Sequence, residues 1–421
     1  MAFQVSPGVL VQERDLTNVI PAVATTIGAV AGQFSQGPMD EVTSISSEKE
    51  LVETFGKPDS TTFEYFFSAA SFLQYSSSLR VVRAANSGSV NAVVSGTALQ
   101  IKNTDHYQNG DGSTGPYNTG SANVGEWAAR TAGAWGNSLQ VSVCPSATAY
   151  EETNKTTTND SSISIGDTTL TLTSGTDFNV GDIINFGETG GHEYRITAVS
   201  SNDITFVRHP SGTGGLHTAL AGGTQVRRRW RYYDLVDKAP GTSTYTSTRS
   251  GANDEMHIVV IDEDGGITGT AGEVLEVYDS VSKASDAKTA QGDSNYYADV
   301  IYNKSQYIYW MDHNTGGSNW GSTASGTTFT AVDSPFVDSL VSGADGSAVT
   351  TAEMKTAYEK FADGDTLDVN LIIAGKGDAT HIDNLITIAE NRKDAVVFCS
   401  PERADVVNVT NATTQTSNVK A

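Results

Sequence analysis

Cysteine is nearly missing from this sequence: Cys144 and Cys399 are the only two among 421 residues. Each sits in an apolar, strand-like run, so they are expected to be reduced, small core residues rather than a disulfide, and no metal-ligand spacing surrounds them. Long hydrophobic runs are missing too. No stretch approaches the roughly 20 consecutive apolar residues that span a bilayer, and the amino terminus shows no basic region followed by an apolar core and a cleavage site. The expectation is a soluble chain, neither exported by a recognisable signal nor anchored in a membrane. Cations are scarce, with 26 Lys and Arg against 49 Asp and Glu, a formal charge of -23. Binding to a phosphate backbone needs concentrated positive surface, which argues against nucleic acid as the main partner. Crowded copies of so acidic a chain repel one another, so an assembly of them needs directional contacts.

Signatures of chemistry are also wanting. Seven histidines are scattered without metal spacing, and neither a G-x-S-x-G elbow nor a Cys/His pattern occurs. Gly375 and Gly377 follow an apolar run as in a dinucleotide fingerprint. Thr380 stands near the place of the third glycine, however, and no phosphate-loop Lys-Ser/Thr pair is present. The run Asp262, Glu263, Asp264 fails as a calcium loop, because Gly266 and Ile267 hold the positions where a ligand and a glycine belong. The expectation is a chain that is not an enzyme, with no catalytic residue, cofactor or metal.

At about 150 residues per domain, the length predicts about three domains. The apolar residues Phe3, Val5, Val9 and Val11 alternate with Gln4, Ser6 and Gln12, the two-residue period of a strand. Pro7 assigns that strand to a sheet edge. It is either an edge strand of its own domain or a strand lent to a neighbouring copy, with residues 16–23 as the connector. Residues 25–34 read as a buried strand ended by Gly37-Pro38. A helix follows with Ser47 and Glu50 as a capping box, Leu51, Val52 and Phe55 on one face, and Gly56 at its end. A second helix carries Phe63, Phe67 and Ala70, a stripe widened by Phe66 and Leu73 and read as core. Arg80 and Arg83 flank Val81 and Val82 on the next strand and are expected in structural salt bridges.

Residues 103–125, rich in Gly, Asn, Ser and Thr, read as a loop. Gly136-Asn137 is a turn before a strand with Leu139, Val141 and Val143, and residues 149–162 read as a polar linker. Four short strands then follow at 168–172, 182–186, 194–199 and 203–207, a spacing that suits a small barrel or sandwich. Arg227, Arg228, Arg229 and Arg231 form the one basic cluster, interleaved with Trp230, Tyr232 and Tyr233. Three readings stay open for it: single-stranded nucleic acid, a solvated or intramolecular ion-pair face, and a contact with an adjacent acidic copy. Residues 257–261 and 274–277 pair as a hairpin around Asp264-Gly265. Tyr296, Tyr297, Tyr302, Tyr307, Tyr309 and Trp310 concentrate aromatic area that is either core or interface. A helix from 350 or 351 to 362 with Ala352, Met354, Tyr358 and Phe361 on one side precedes a strand at 367–374, a helix at 379–389 and a strand at 395–399. That β-α-β order predicts a parallel pair.

Four signatures occur in order: SPGV at 6–9, GAVAGQFSQGP at 28–38, TFGKP at 54–58 and FLQYSSSLRVVRA at 72–84. With residues 130–144 and 294–310, they make the chain resemble the contractile tail sheath proteins of T-even-like bacteriophages. The resemblance implies an α+β, multidomain fold, a discontinuous mixed α/β core with inserted β-rich domains and an extended N-terminal β arm. It divides the chain into the arm at 1–24, the first part of the α/β sheath domain at 25–95, a loop and β segment at 96–150, and an inserted barrel or sandwich at 151–233. A sheath region with the hairpin follows at 234–333, the second part of the α/β domain at 334–405, and a truncated tail at 406–421. It implies a structural subunit that polymerises helically around the tail tube and contracts to drive it through the host envelope for genome ejection; the alternative is a sheath subunit of a bacterial contractile injection system. Implied partners are further copies, the tail tube protein, and baseplate and tail terminator proteins, with no nucleic acid and no direct membrane insertion. The implied location is the virion, after assembly in the host bacterial cytoplasm. Phe3, Val5, Val9 and Val11 would form the inter-subunit strand, and Arg227, Arg228, Arg229 and Arg231 a further charge contact. Family members continue past the point where this sequence ends, so tube-contact residues are expected beyond it.

Overall fold

A computed structural model describes residues 26–420; Phe3, Val5, Val9 and Val11 lie outside them. The fold is α+β and multidomain, organised among the described residues around sheets of five, six and four strands. In the five-stranded sheet the order is Val396–Ser400, Leu371–Lys376, Gly28–Gly32, Leu79–Arg83, Val42–Ile45. The first four are parallel and the last is antiparallel. The sheet therefore joins sequence-distant parts of the chain, with Ala29 beside Ile372.

The central strand, GAVAG, is buried throughout, as a parallel strand covered on both faces should be. Ala29 and Ala31 meet the helices Thr351–Glu359 and Ala379–Arg392 through Met354, Ala357, Tyr358, Leu385 and Ile388. Val30, on the other face, meets the helices Glu48–Phe55 and Phe63–Leu73 through Leu51, Phe55, Phe66, Ala69 and Ala70. Glycine sets how closely the aromatic helix lies on this strand. A Cβ at Gly28 would fall 2.6 Å from the Phe72 ring, and one at Gly32 would fall 2.5 Å from Tyr65.

That close approach corrects the expected stripe. Phe63 and Phe67 are 44% and 54% exposed, whereas Phe66 and Ala70 of that stripe are buried as expected, joined by Ala69, because alanine is small enough to sit against the strand. In the later helix Ala357 replaces Ala352 on the buried side, because 354, 357, 358 and 361 share one helical face and 352 falls off it. The salt-bridge expectation is corrected too. Arg83 is buried and donates to the carbonyls of Gly37, Ala132 and Ser35 at 2.9, 2.8 and 3.4 Å; Arg80 donates to the Ser44 hydroxyl. Ser47 caps its helix through Glu50 N, but the Glu50 carboxylate turns back to Ser46 N at 2.8 Å rather than to Ser47. The complete reciprocal capping box is Thr350 with Glu353.

The four-stranded antiparallel sheet has the order Glu273–Ser282, Glu255–Asp262, Leu139–Cys144, Phe336–Ser339. The expected hairpin is present, and its loop is held by the Asp262 carboxylate, which accepts from the backbone N–H of Gly265, Ile267 and Thr268. Tyr297, Tyr309 and Trp310 are buried, which places them in core, with Tyr296 and Tyr307 packed at its margin. The expected loop at 103–125 contains the helix Thr104–Asn109, started by the Asn103 side chain on His106 N and ended at Gly110 with φ 71°. Its polar sequence hides an anchor, the buried Tyr107.

The four expected short strands appear as Thr169–Thr171, Ile183–Asn185, Glu193–Ser200 and Asp203–His209 in the six-stranded sheet. The expected linker at 149–162 is instead an edge strand, Glu151–Thr157. An edge strand with one wet face needs few apolar residues, so its Thr/Glu/Lys composition reads as linker. The sheet closes over Leu170, Ile184, Phe186, Tyr194, Ile204, Phe206 and Val226.

Candidate assembly surface

Two regions present groups to the outside in an organised way: the Val396–Ser400 edge of the five-stranded sheet, and the arginine-bearing strand Gln225–Arg229. The first follows from strand alternation. Val397 turns toward the helices Thr351–Glu359 and Ala379–Arg392, so Val396 and Phe398 turn to the opposite face; they are 56% and 55% exposed. Cys399, expected in the core, is exposed, while Cys144 is buried and its thiol is pushed up by that burial. Phe398 is the register neighbour of Ile373. Ile373 floors an open groove walled by Glu64, Phe67, Ser68, Ser71 and Phe72 of the aromatic helix. At the carboxyl ends of the parallel strands the groove meets a cavity of about 260 Å³ that takes in Tyr65, Tyr358, Lys376 and Arg403. There Lys376 Nζ lies 2.7 Å from Glu64 Oε2, a hydrogen bond that holds the ammonium above its ordinary pKa.

The arginines are separated by strand alternation and by neighbours. Arg228 is buried; it donates to the carbonyls of Asp177 and Asp333 at 2.7 and 3.1 Å and lies 3.6 Å from Glu152. Arg229 lies between Glu193 and Glu151, at 2.8 and 3.2 Å, and over the Tyr233 ring. Arg231 lies over Tyr232, which is itself buried. Arg227 is exposed. The four do not converge on one surface. Two are held by their own chain, an arrangement that opposes the continuous basic, stacking platform needed by single-stranded nucleic acid.

Beside these arginines Asp182 is 1% exposed and accepts from Asn179 N at 2.9 Å. Burial pushes its carboxyl up to about 7 against the opposing charges of Arg228, Arg231 and Lys155. The two-glycine strand end has the opposite charge preference from a phosphate site: Asp378 caps the following helix, its Oδ1 2.8 Å from His381 N, so a carboxylate holds the position that an anion would need. Among the described residues no group of three or more His, Cys, Asp and Glu could hold a metal ion, and no helix is long and apolar enough to cross a membrane.

The exposed Val396, Phe398 and Phe67 were not legible as surface, since an apolar parallel strand and an aromatic helix both read as core.

Residues 25–84 match the family model described as the tail sheath protein Gp18 domain III N-terminal region. The chain is 25% identical over 440 aligned positions to the tail sheath protein of Enterobacteria phage T4, covering 96% of this chain and 63% of that protein. It is 26% identical over 438 positions to the tail sheath protein of Salmonella phage ViI, covering 96% and 61%. A stretch of 78 positions is 40% identical to the tail sheath protein of Vibrio phage KVP40, covering 18% of this chain and 12% of that protein. The chain thus spans less than two thirds of the length of these curated relatives.

Proposed function

From membership of the chain in the T4-like bacteriophage tail sheath family, which makes it a structural component of a phage virion, we propose that copies polymerise helically around a tail tube and contract to drive that tube through the host envelope for genome ejection. The observation that carries this reading is that similarity to two tail sheath proteins runs along 96% of the chain rather than one domain of it. The tube, baseplate and tail terminator proteins are the partners, and assembly takes place in the host cytoplasm before the virion is complete.

Physical chemistry supports such an assembly. A contact between different patches on identical molecules does not close on itself and therefore builds a filament. For molecules of charge -23 that contact must resist mutual repulsion, and an exchanged strand does so through main-chain hydrogen bonds. Phe3, Val5, Val9 and Val11 form the donated strand. About five hydrogen bonds at roughly 0.5–1.5 kcal/mol net supply a few kcal/mol per copy, repeated along the filament. Contraction is a switch between two packings of rigid subunits, with the extended one held by a barrier. Arg227 and Arg231, the two arginines of the cluster without a carboxylate within 4.0 Å among the described residues, add a charge contact to the next acidic copy.

Electron microscopy of the purified chain tests this. Tubes or curved filaments are expected, and residues 16–421 alone should stay monomeric on a sizing column. Isolated particles from the full chain under polymerising conditions would overturn the sheath reading. Unchanged tubes after removal of residues 1–15 would remove strand donation alone.

A further inference from the structure

We infer that Asp182 is a latch: while its carboxyl carries a proton the six-stranded sheet stays seated on the loop at 333–335, and once ionised the carboxylate draws the seating donors to itself and lets that sheet swing about its root. The root is narrow. The chain enters at Tyr150 and Glu151 and leaves at Arg229 and Trp230, with Glu151 opposite Arg229 and Trp230 N donating to Tyr150 O at 2.9 Å. Below it Trp230 is buried and donates from Nε1 to Ser142 Oγ at 2.9 Å, which fixes the pivot to the four-stranded sheet. Beyond it the six-stranded sheet has an apolar core of its own. Three hydrogen bonds seat it, and all three end on one short loop. Lys155 Nζ reaches Ser334 Oγ at 3.3 Å, Arg228 Nη2 reaches Asp333 O at 3.1 Å, and Asn179 Nδ2 reaches Pro335 O at 3.3 Å.

One carboxyl group stands behind all three donors. Asp182 accepts from Asn179 N at 2.9 Å and lies in the field of Arg228, Arg231 and Lys155. A buried carboxylate is costly to ionise without a paired cation, and once ionised it pulls on nearby cations with a force that a low dielectric magnifies. Lys155 and Arg228 lie within 4.0 Å of Glu152, and Lys155 also of Asp177. Arg228 Nε, however, has no hydrogen-bond partner among the described residues. The guanidinium is a rigid fork, so turning Nε toward Asp182 takes Nη2 from Asp333 O.

The other titratable groups with shifted values around this seam keep their charge near neutrality. Burial pushes the Cys144 thiol and the Tyr232 phenol up and pulls His257, stacked on Trp230, down. At Asp177 burial is outweighed by the hydrogen bond from Lys155, which holds its pKa low. Asp182 is brought up to about 7 by burial. Because that value is raised, the seated form belongs to acid pH and is lost as pH climbs through about 7. Asp338, just past the loop, is also pushed up to about 7 by burial, but its charged neighbour is Glu126, which makes it the control.

Spin labels on Ile165→Cys, in a turn of the six-stranded sheet, and on Val277→Cys, in the four-stranded sheet, stand at exposed positions. In a Cys399→Ser background, double electron–electron resonance on the dilute chain reads the distance between them whether or not copies polymerise. One narrow distribution is expected at pH 6 and an added longer component at pH 8.5, with an unchanged circular dichroism spectrum. Asp182→Asn should keep the narrow distribution at both; Asp182→Ser, which can still accept from Asn179 N, takes its place if the amide does not fold. Asp338→Asn should respond as the parent does. A parent distribution identical at pH 6 and pH 8.5, or a longer component that persists in the Asp182 variants, overturns the latch. Loss of the response in Asp338→Asn assigns it to that carboxyl and overturns the latch equally.

Discussion

Arg83 gives its guanidinium donors to carbonyls from two sequence-distant segments, at residues 35–37 and at residue 132. Burial pulls its pKa down to about 10, still leaving it charged at neutral pH. Arg83→Met should cost about 3 kcal/mol, the scale of stranding partners of a buried charge, seen as a lower urea midpoint. Asp182 makes a pH-dependent prediction. Its folded pKa near 7 lies above the unfolded value, so the folded chain binds a proton that the unfolded chain releases between about pH 4 and 7. Its stabilising contribution is therefore full below about pH 4 and is lost as pH rises through about 7. Asp182→Asn should match the parent at pH 4 and gain on the order of a kcal/mol or more at pH 8, measured by thermal unfolding at both. Equal melting at pH 8 would mean that Arg228 compensates the carboxylate. Neither role was legible in the sequence, because a buried charge and a surface charge use the same letter; Arg83 read as half of a salt bridge where the actual partners are main-chain oxygens, which every residue carries.

Helices and strands were more legible than their faces. The short strands at 169–209 and the β-α-β order near the end left local signals in alternation and turn residues, whereas the aromatic helix offered two overlapping stripes. The stripe with Phe66, Ala69 and Ala70 is buried because Gly28 and Gly32, with no Cβ, let Phe72 and Tyr65 of the same helix lie directly on the strand. Gly28→Val should force Phe72 outward and destabilise by about 1–3 kcal/mol, with a matching fall in the denaturant midpoint. Phe67→Ser, on the outer stripe, should leave it within about 0.5 kcal/mol. Thr350→Ala removes the hydroxyl of a complete capping box and should cost about 1 kcal/mol. The arm at 3–11 remains an expectation of period alone.

Across the molecule, the six-stranded sheet enters and leaves at neighbouring points: Glu151 pairs with Arg229, and Trp230 N donates to Tyr150 O at 2.9 Å. Its seam with the four-stranded sheet is polar, made by Lys155 to Ser334 Oγ, Arg228 to Asp333 O and Asn179 to Pro335 O. We predict that replacing residues 152–228 with Asn-Gly leaves the remainder folded, with a cooperative thermal transition within several degrees of the parent. Loss of that transition would show the insert to be part of one core. A local change of composition, to short Thr/Ile/Val strands between Gly and Asn turns at 168–207, is the signal from which such an insert is expected. Closure of the five-stranded sheet left no comparable trace, since Ile27 and Asn370 meet across 343 positions. That separation has a consequence for biogenesis. At about 5–20 residues per second, the ribosome works for roughly 17–70 s after making the Gly28–Gly32 strand before its second parallel neighbour, Leu371–Lys376, emerges. Throughout that interval the nascent chain displays an unfinished ladder, so newly made molecules on one polysome are in most danger of joining wrongly before release, and a cell held at low temperature, where elongation slows, should accumulate more of them in inclusion bodies.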